Sequence, residues 1–266
     1  MAQENYPVEF LELGYPVRLK ANMGGYDGRS QHRLANPEDV EGHIAAQPID
    51  TPMLLERELQ FRTELSVVVA RATDGICVSF PPARNLHDDG ILVESVVPAG
   101  LAPEVEEAAR ELAERLATGM GLIGVLTVEL FLMRDGSLVV NELAPRVHNS
   151  GHWTIEGAAT SQFEQHVRAI CGLPLGSIEL RSPAAAMVNL LGGGDRRPTA
   201  IQGLREALAV QDTHLHLYDK RDVFERRKMG HVTALAATTE DALTHAREAV
   251  SHLEWGGPNG DGGSGG

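Results

Sequence analysis

Two apolar runs joined by a tight turn constrain the fold of this chain more than any other feature. The runs cover Gly124 to Phe131 and Leu138 to Leu143, and the turn between them is Arg134-Asp135-Gly136. Runs of β-branched and apolar residues on either side of an Asp-Gly turn are typical of paired strands. The sequence therefore predicts a β-hairpin in the middle of the chain.

Each predicted strand of this hairpin carries one carboxylate, Glu129 in the first and Glu142 in the second. A carboxylate inside an apolar strand is costly unless it is neutralised or binds a cation. If the strands pair around the turn, both carboxylates come close on one face, and such oxygen pairs suit Mg²⁺ that bridges nucleotide phosphates. The segment alone leaves an alternative open, namely two solvent-facing glutamates on an edge strand.

Composition and charge exclude several classes of protein. The 266 residues are 42% hydrophobic and 23% charged, which is enough for one large or two small globular domains. A formal net charge of −14 argues against nucleic acid or an anionic membrane as a partner. Cys77 and Cys171 have no partner motif, and we find neither a signal peptide nor an apolar stretch of the ~20 residues that span a bilayer. We expect a soluble, cytoplasmic protein.

The remaining periodicity predicts a mixture of helices and strands. A short strand precedes a glycine-rich loop, Asn36 is a candidate N-cap with Pro37 at the first helical position, and Thr73-Asp74-Gly75 is a candidate hairpin turn between strands. The glycine-rich segment 256–266 is expected to be disordered. Apolar residues at helical spacing, with start and stop signals, predict helices over about 36–46, 102–121, 160–171 and 240–252.

Three polar segments could carry chemistry. The loop from Gly24 to Gln31, preceded by Lys20, offers backbone amides and cations for phosphates, although most glycine-rich turns are only turns. The segment 141–153 concentrates amides, imidazoles and a cation, with a solvated loop as the alternative. A basic patch in this acidic chain could receive a phosphate or be a solvated charge run; it consists of Lys220, Arg221, Arg226, Arg227, Lys228 and His231.

Taken in order, several of these segments resemble one family. They are Leu19-Lys20 with GGYDGRSQ, then TELSVVVAR, NLHDDGIL, GVLTVELF, RRKMGHV and, most specifically, NELAPRVHNSGHWTIEGAATSQFEQH. The family is 5-(carboxyamino)imidazole ribonucleotide synthase, an ATP-grasp ligase of purine biosynthesis, and the resemblance covers residues 14 to 252.

The resemblance implies an α+β fold. We expect an ATP-grasp domain over 1–172 whose first part is missing. Family members begin with a Rossmann-like domain of roughly a hundred residues, followed by the opening part of the ATP-grasp domain, and the resemblance finds neither before Gly14. A small β-rich C-terminal domain over 173–255 and the disordered tail follow. A homodimer or a complementing N-terminal domain is the expected macromolecular partner.

The implied activity is carboxylation of 5-aminoimidazole ribonucleotide with bicarbonate, driven by ATP and Mg²⁺ and releasing ADP and phosphate. These small molecules are the expected substrates and cofactors. Two alternatives remain: a catalytically impaired nucleotide-binding remnant or half-enzyme that needs a separate N-terminal partner, and an ATP-grasp ligase with another acceptor.

The resemblance also implies roles for individual residues. Arg146 and His148 hold bicarbonate or carboxyphosphate as catalytic residues, and the magnesium ligands are Glu129 and Glu142. Contacts to the substrate come from Tyr26, Asp27, Arg29, Lys220 and Arg227. The ATP-binding residues are Lys20, Gly24, Gly25, Tyr26, Asp27, Gly28, Arg29, Ser30, Glu56, Arg57, Glu58, Leu59, Glu64, His87, Asn141 and Glu142.

Overall fold

A computed structural model describes residues 13–21, 31–46 and 53–256. The chain divides into two compact units, one formed by residues 1–60 with 88–91 and the other by 61–87 with 92–266. The predicted phosphate loop at 24–30 lies outside the described residues, and so does the predicted disordered tail beyond residue 256.

The first unit contains a small antiparallel sheet. Strands β1 (Val17–Ala21), β2 (Gln31–Leu34) and β3 (Met53–Arg57) pair in the order β2-β1-β3. Val17 and Leu19 alternate with polar residues along β1, so their side chains lie on one face of the sheet. On that face they form a small buried core with Leu34. Helix α1 (Pro37–Ala46) starts as predicted, since the amide N–H of Asp39 donates to the Asn36 side chain at 2.9 Å.

The second unit is built around a nine-stranded sheet. Its strands are β4 (Phe61–Arg71), β5 (Cys77–Ser79), β6 (Ala83–Asp88), β7 (Ile91–Val97), β8 (Gly124–Met133), β9 (Leu138–Ala144), β10 (Ala184–Leu191), β13 (Thr213–Leu217) and β15 (Lys228–Ala236). They pair in the order β13-β15-β10-β7-β6-β4-β8-β9, and β5 also pairs with β4. The predicted hairpins at the Thr73-Asp74-Gly75 and Arg134-Asp135-Gly136 turns are confirmed by the β4–β5 and β8–β9 pairs.

Helices cover both faces of this sheet. Helix α2 (Pro103–Gly119) packs on β4 and β8 through Ala109, Ala113 and Ala117, and α6 (Thr239–Ser251) packs on β10 and β15. The opposite face carries a second core around Trp153, beside α3 (Thr154–Gly157) and α4 (Gln162–Ile170). Strand β4 is consequently buried on both faces over much of its length.

The C-terminal segment adds further short elements, including helix α5 (Leu204–Ala207), which the sequence patterns missed. Strands β11 (Arg197–Pro198) and β14 (Asp222–Val223) form one two-stranded sheet, and β12 (Ala200–Gln202) and β16 (Glu254–Gly256) form another. The α+β class is confirmed. The division near residue 173 stays a prediction, and β10, β13 and β15 beyond it pair within the same large sheet as β4.

The predicted helices agree with the structure in position. Their bounds differ by a few residues, as at 160–171, where the helix covers Gln162–Ile170 because Ser161 is its N-cap and accepts from the Glu164 amide at 3.2 Å. Across the described residues, no helix has both the length and the apolar character to cross a membrane.

Candidate active site

The two carboxylates of the central hairpin lie directly opposite each other. Glu129 on β8 pairs with Glu142 on β9, and the register then shifts so that Leu130 pairs with Val140. This bulge inserts Asn141 beside Glu142, and both residues oppose Glu129. The Asn141 amide accordingly lies 3.5 Å from a Glu129 oxygen. The predicted proximity of the two glutamates is confirmed, and the bulge adds an amide that the sequence pattern did not place.

The environments of the two glutamates differ. The Glu129 side chain is only 15% exposed, and burial raises the pKa of its carboxyl above the ordinary value, with attraction to His87 opposing and repulsion from Glu142 adding. Glu142 is exposed, which for this residue agrees with the alternative of a solvent-facing glutamate on an edge strand. The physical reason is that β9 is the edge strand of the sheet.

His148 is held as a neutral hydrogen-bond donor next to Glu129. Its Nδ1 accepts from the Ser150 amide at 3.3 Å, so the neutral ring carries its proton on Nε2, 3.4 Å from a Glu129 oxygen. Burial, followed by the charge of Arg146, lowers the pKa of His148 to about 3. Arg146 is exposed and donates to the Val147 carbonyl at 3.1 Å. The two predicted catalytic residues therefore supply one fixed donor and one cation.

Glu64 and His87 belong to the same face of the large sheet. Glu64 lies on β4 and His87 near the end of β6, and His87 Nδ1 contacts a Glu64 oxygen. Both influence Glu129: His87 lowers the pKa of its carboxyl and Glu64 raises it. The structure thus brings these two predicted ATP-binding residues together with the carboxylate pair.

The predicted ATP-binding residues of the first unit form ion pairs. The Lys20 ammonium lies 2.5 Å from a Glu56 carboxylate oxygen. Glu58 accepts from Arg18 at 3.1 Å and from Arg33 at 2.8 Å.

Beside these pairs, the Arg57 guanidinium donates to the Leu13 carbonyl at 3.0 Å, and Leu59 lies just beyond β3 and is half-buried. The predicted contacts from Gly24, Gly25, Tyr26, Asp27, Gly28, Arg29 and Ser30 fall outside the described residues.

The basic patch is ordered around β13 and β15. Lys220 donates to the Lys228 carbonyl at 2.5 Å, and Arg227 donates to the Asp222 carbonyl at 2.6 Å. The Arg227 guanidinium also stacks 4.9 Å from the centre of the Phe224 ring. Both predicted substrate-phosphate cations are thus fixed by backbone contacts in one region of the second unit.

Lys228, predicted only as a member of the basic patch, influences the groups around Glu129. Its charge lowers the pKa of Glu129 and also helps to lower those of His148 and His152. A cation that acts on all three groups lies close to the carboxylate face. The sequence indicates this position of Lys228 only through its place between Arg227 and the buried residues at the start of β15.

A histidine cluster, formed by His152, His216 and His231, extends the polar face and was not predicted. The His231 ring lies 4.9 Å from that of His152 and stacks 4.5 Å from that of His216. Tyr218 and His231 share a hydrogen bond of 2.8 Å. Burial lowers the pKa of His152 to about 4 and that of His231 to about 2, so both rings are neutral.

The donor set at the hairpin fits magnesium. Mg²⁺ prefers oxygen ligands and is usually held by one or two carboxylates while phosphates and water complete its shell. Glu129 and Glu142 supply those carboxylates, and the Asn141 amide oxygen is a further neutral ligand beside them. Among the described residues, no group of three or more His, Cys, Asp or Glu side chains is arranged to hold a metal. A pair of carboxylates suits a metal whose remaining ligands are nucleotide phosphates and water.

Comparison with known proteins defines the class. The sequence model of the ATP-grasp domain matches residues 2–163, and that of the phosphoribosylaminoimidazole carboxylase C-terminal domain matches residues 185–245. The chain belongs to the ATP-grasp family, which confirms the predicted fold. Within that family it resembles the N5-carboxyaminoimidazole ribonucleotide synthases, as the sequence motifs indicated.

Three proteins illustrate the similarity. The N5-carboxyaminoimidazole ribonucleotide synthase of Bacillus subtilis is 44% identical over 222 residues, covering 84% of this chain and 57% of that protein. The synthetase structure from Thermotoga maritima is 39% identical with a TM-score of 0.82, covering 92% and 64% of the two chains. An Aspergillus clavatus structure with ADP and 5-aminoimidazole ribonucleotide is 34% identical with a TM-score of 0.80, covering 91% and 63%. This chain thus spans less than two thirds of each relative.

Proposed function

We propose that this chain catalyses the ATP-dependent carboxylation of 5-aminoimidazole ribonucleotide by bicarbonate, as an ATP-dependent carbon–nitrogen ligase of purine biosynthesis. The observation that carries the proposal is the arrangement on one face of the large sheet, where Glu129, Glu142 and Asn141 lie beside the His148 donor. The relatives support the chemistry, since the Aspergillus clavatus structure is described as a complex with ADP and this ribonucleotide.

The first step joins bicarbonate to the γ-phosphoryl group of ATP. A bicarbonate oxygen attacks phosphorus, the bond to ADP breaks, and carboxyphosphate forms. Glu129 and Glu142 would hold Mg²⁺, which supplies charge neutralisation for the transferred phosphoryl group when it is bound. Arg146 and the Nε2–H of His148 would hold the anionic oxygens of bicarbonate, one as a cation and the other as a neutral donor.

The second step transfers the carboxyl group. The exocyclic amine of the ribonucleotide attacks the carbonyl carbon of carboxyphosphate, phosphate leaves, and the nitrogen loses a proton. Lys220 and Arg227 would hold the ribose phosphate, because both are cations fixed by backbone carbonyls. Carboxyphosphate reacts readily with water, so the site must exclude water while the amine attacks.

The glycine-rich loop from Gly24 to Ser30 is our candidate for binding the ATP phosphates, on the strength of its sequence. Glycines allow a backbone to approach phosphates, and backbone amides can donate to them. We also place Tyr26, Asp27 and Arg29 near the aminoimidazole ring, on the strength of the family motif alone.

The decisive experiment measures ADP release with ATP, Mg²⁺ and bicarbonate, in the presence and absence of 5-aminoimidazole ribonucleotide. We expect the ribonucleotide to stimulate release and Glu142→Gln to abolish it. Stimulation by unrelated amines to the same extent would instead favour a ligase with another acceptor. Binding of ATP that depends on Mg²⁺, without any release, would contradict the proposal and favour a nucleotide-binding protein that needs a partner.

A further inference from the structure

Gln162 is a buried amide whose hydrogen bonds converge on His148. It is the first residue of α4 and is 0% exposed. Its side-chain oxygen accepts from the His148 amide N–H at 2.9 Å, and its nitrogen donates to the His148 carbonyl at 2.7 Å. One side chain thus binds both backbone groups of the same residue. The His148 carbonyl also accepts from the Gly151 amide at 3.0 Å in a short 3-10 turn, so Gln162 adds to this turn and provides the partner of the His148 N–H.

The remaining hydrogen-bonding capacity of Gln162 is also used within this loop. Its nitrogen lies 3.1 Å from Nδ1 of His152, and its backbone N–H donates to the Thr154 hydroxyl at 3.0 Å. The Thr154 hydroxyl in turn donates to the Gly151 carbonyl at 2.6 Å. The loop 148–154 is therefore folded around one amide side chain.

Gly151 makes this arrangement sterically possible. A Cβ atom at Gly151 would lie 2.7 Å from the Gln162 side-chain oxygen and 2.9 Å from Val68 Cγ2. Both distances are shorter than a van der Waals contact, so any larger residue at position 151 would displace the glutamine side chain. The glycine in this motif is consequently required by the position of Gln162.

We propose that Gln162 is a positioning residue for the carboxylation step, because it fixes the His148 backbone and thereby aims the Nε2 donor of His148 at the Glu129 side of the site. This inference rests on the proposed function. Gln162 need not touch substrate, since its amide is already satisfied by loop atoms.

The same helix offers a matched control. Gln165 is also 0% exposed, its nitrogen donates to the Gly176 carbonyl at 2.7 Å, and its oxygen accepts from the Gly176 amide at 2.9 Å. The two glutamines make the same two-bond contact with different loops, and only Gln162 acts on a site residue. A purely structural effect of losing a buried amide should be similar in Gln162→Met and Gln165→Met.

The test compares these two variants by amide hydrogen exchange and by kinetics. We expect Gln162→Met to speed exchange of the His148 amide by about tenfold, the equivalent of one net hydrogen bond, without changing Gly176. Gln165→Met should do the reverse. In turnover assays Gln162→Met should raise KM for bicarbonate and leave KM for ATP unchanged, whereas Gln165→Met should change neither.

Two outcomes would overturn the inference: equal kinetic losses in both variants, or an unchanged His148 exchange rate and bicarbonate KM in Gln162→Met. If Gln162→Met does not fold, Gly151→Ala displaces the same amide from the loop side and should give the same exchange pattern. A wild-type chain without ribonucleotide-stimulated ADP release would refute the proposed function, while the exchange rates would still show whether Gln162 holds His148.

Discussion

Replacing Glu129 by glutamine should stabilise the metal-free protein while removing its response to magnesium. Glu129 faces Glu142 across the hairpin and is 15% exposed, so its charge is both repelled and poorly solvated. Glutamine keeps the shape, and its amide can still bind near His148 and Asn141. The substitution therefore removes an unfavourable charge without opening a cavity.

The expected gain is about 1 kcal/mol in the free energy of unfolding at neutral pH, the magnitude of a strong cross-strand side-chain interaction, because like charges directly opposite each other are destabilising. The sign follows from the pKa of Glu129, which folding raises above its ordinary value of 4.5. A carboxyl with a raised pKa contributes stability at low pH and loses it as the pH rises. The advantage of Glu129→Gln should therefore vanish at pH values well below 4.5, where the wild-type side chain is protonated in both states.

Urea unfolding in the presence of EDTA measures the stability of the metal-free protein. Unfolding with Mg²⁺ and ADP measures the stabilisation by the bound metal and nucleotide. The free energy of unfolding of the wild-type protein should rise by about 2.7 kcal/mol at a ligand concentration of about 100 times Kd, and that of the variant should rise far less. Glu142→Gln is the matched control, because it removes the same repulsion from an exposed position and should stabilise the metal-free protein less. A Glu129→Gln protein that is less stable than wild type without metal, or equally stabilised by Mg²⁺ and ADP, would refute this reasoning.

Three further changes test other parts of the second unit. Trp153→Ala should lower the free energy of unfolding in urea by about 3–5 kcal/mol, because Trp153 is 1% exposed and packs edge-on against Phe80 at 6.0 Å; a loss below about 1 kcal/mol would contradict this packing. Gly230→Ala should weaken the β13–β15 pairing, seen as faster amide exchange in β13, since its Cβ would lie 2.3 Å from the His216 carbonyl oxygen. Folding lowers the pKa of His152 from 6.5 to about 4, so stability should fall as the pH drops through this interval, and His152→Asn should reduce that slope by about 1.4 kcal/mol per pH unit. An unchanged slope would show that His152 is protonated in the folded protein.

The hairpin that carries the site was predictable from sequence because all of its signals are local. Apolar runs predict the strands and Asp135-Gly136 predicts the turn, so the two carboxylates are expected on paired strands. The bulge at Asn141 then sets Glu142 directly opposite Glu129. Local signals likewise predict α1, whose Asn36 cap and Pro37 start lie within one turn of each other. Features that depend only on residues close together in the sequence can be predicted without a structure.

The parts of the site that escaped prediction depend on contacts between distant segments. The bulge at Asn141 leaves no mark in the sequence, since a strand with one extra residue has the same composition as a regular one. The sequence left open whether Glu142 is buried or solvent-facing, and the strand order, which places β9 at the edge, exposes it. The contact of Gln162 with His148 likewise depends on how α4 packs against the loop. The resemblance to a known family supplied residue roles that these local patterns could not.

Burial affects the two kinds of titratable group in this site in opposite ways, and the combination favours a nucleotide-bound cation. It raises the pKa of the Glu129 carboxyl and lowers that of His148, so the metal-free site moves both groups toward neutrality. A divalent cation reverses only the first effect, because it stabilises the carboxylate and repels a proton from the imidazole. With magnesium and nucleotide present, Glu129 would be fully charged and His148 would remain a neutral donor. Under the proposed function, neither group would then change its protonation state while bicarbonate is held. Bicarbonate binding would depend on the geometry of the His148 donor, which we propose Gln162 to fix.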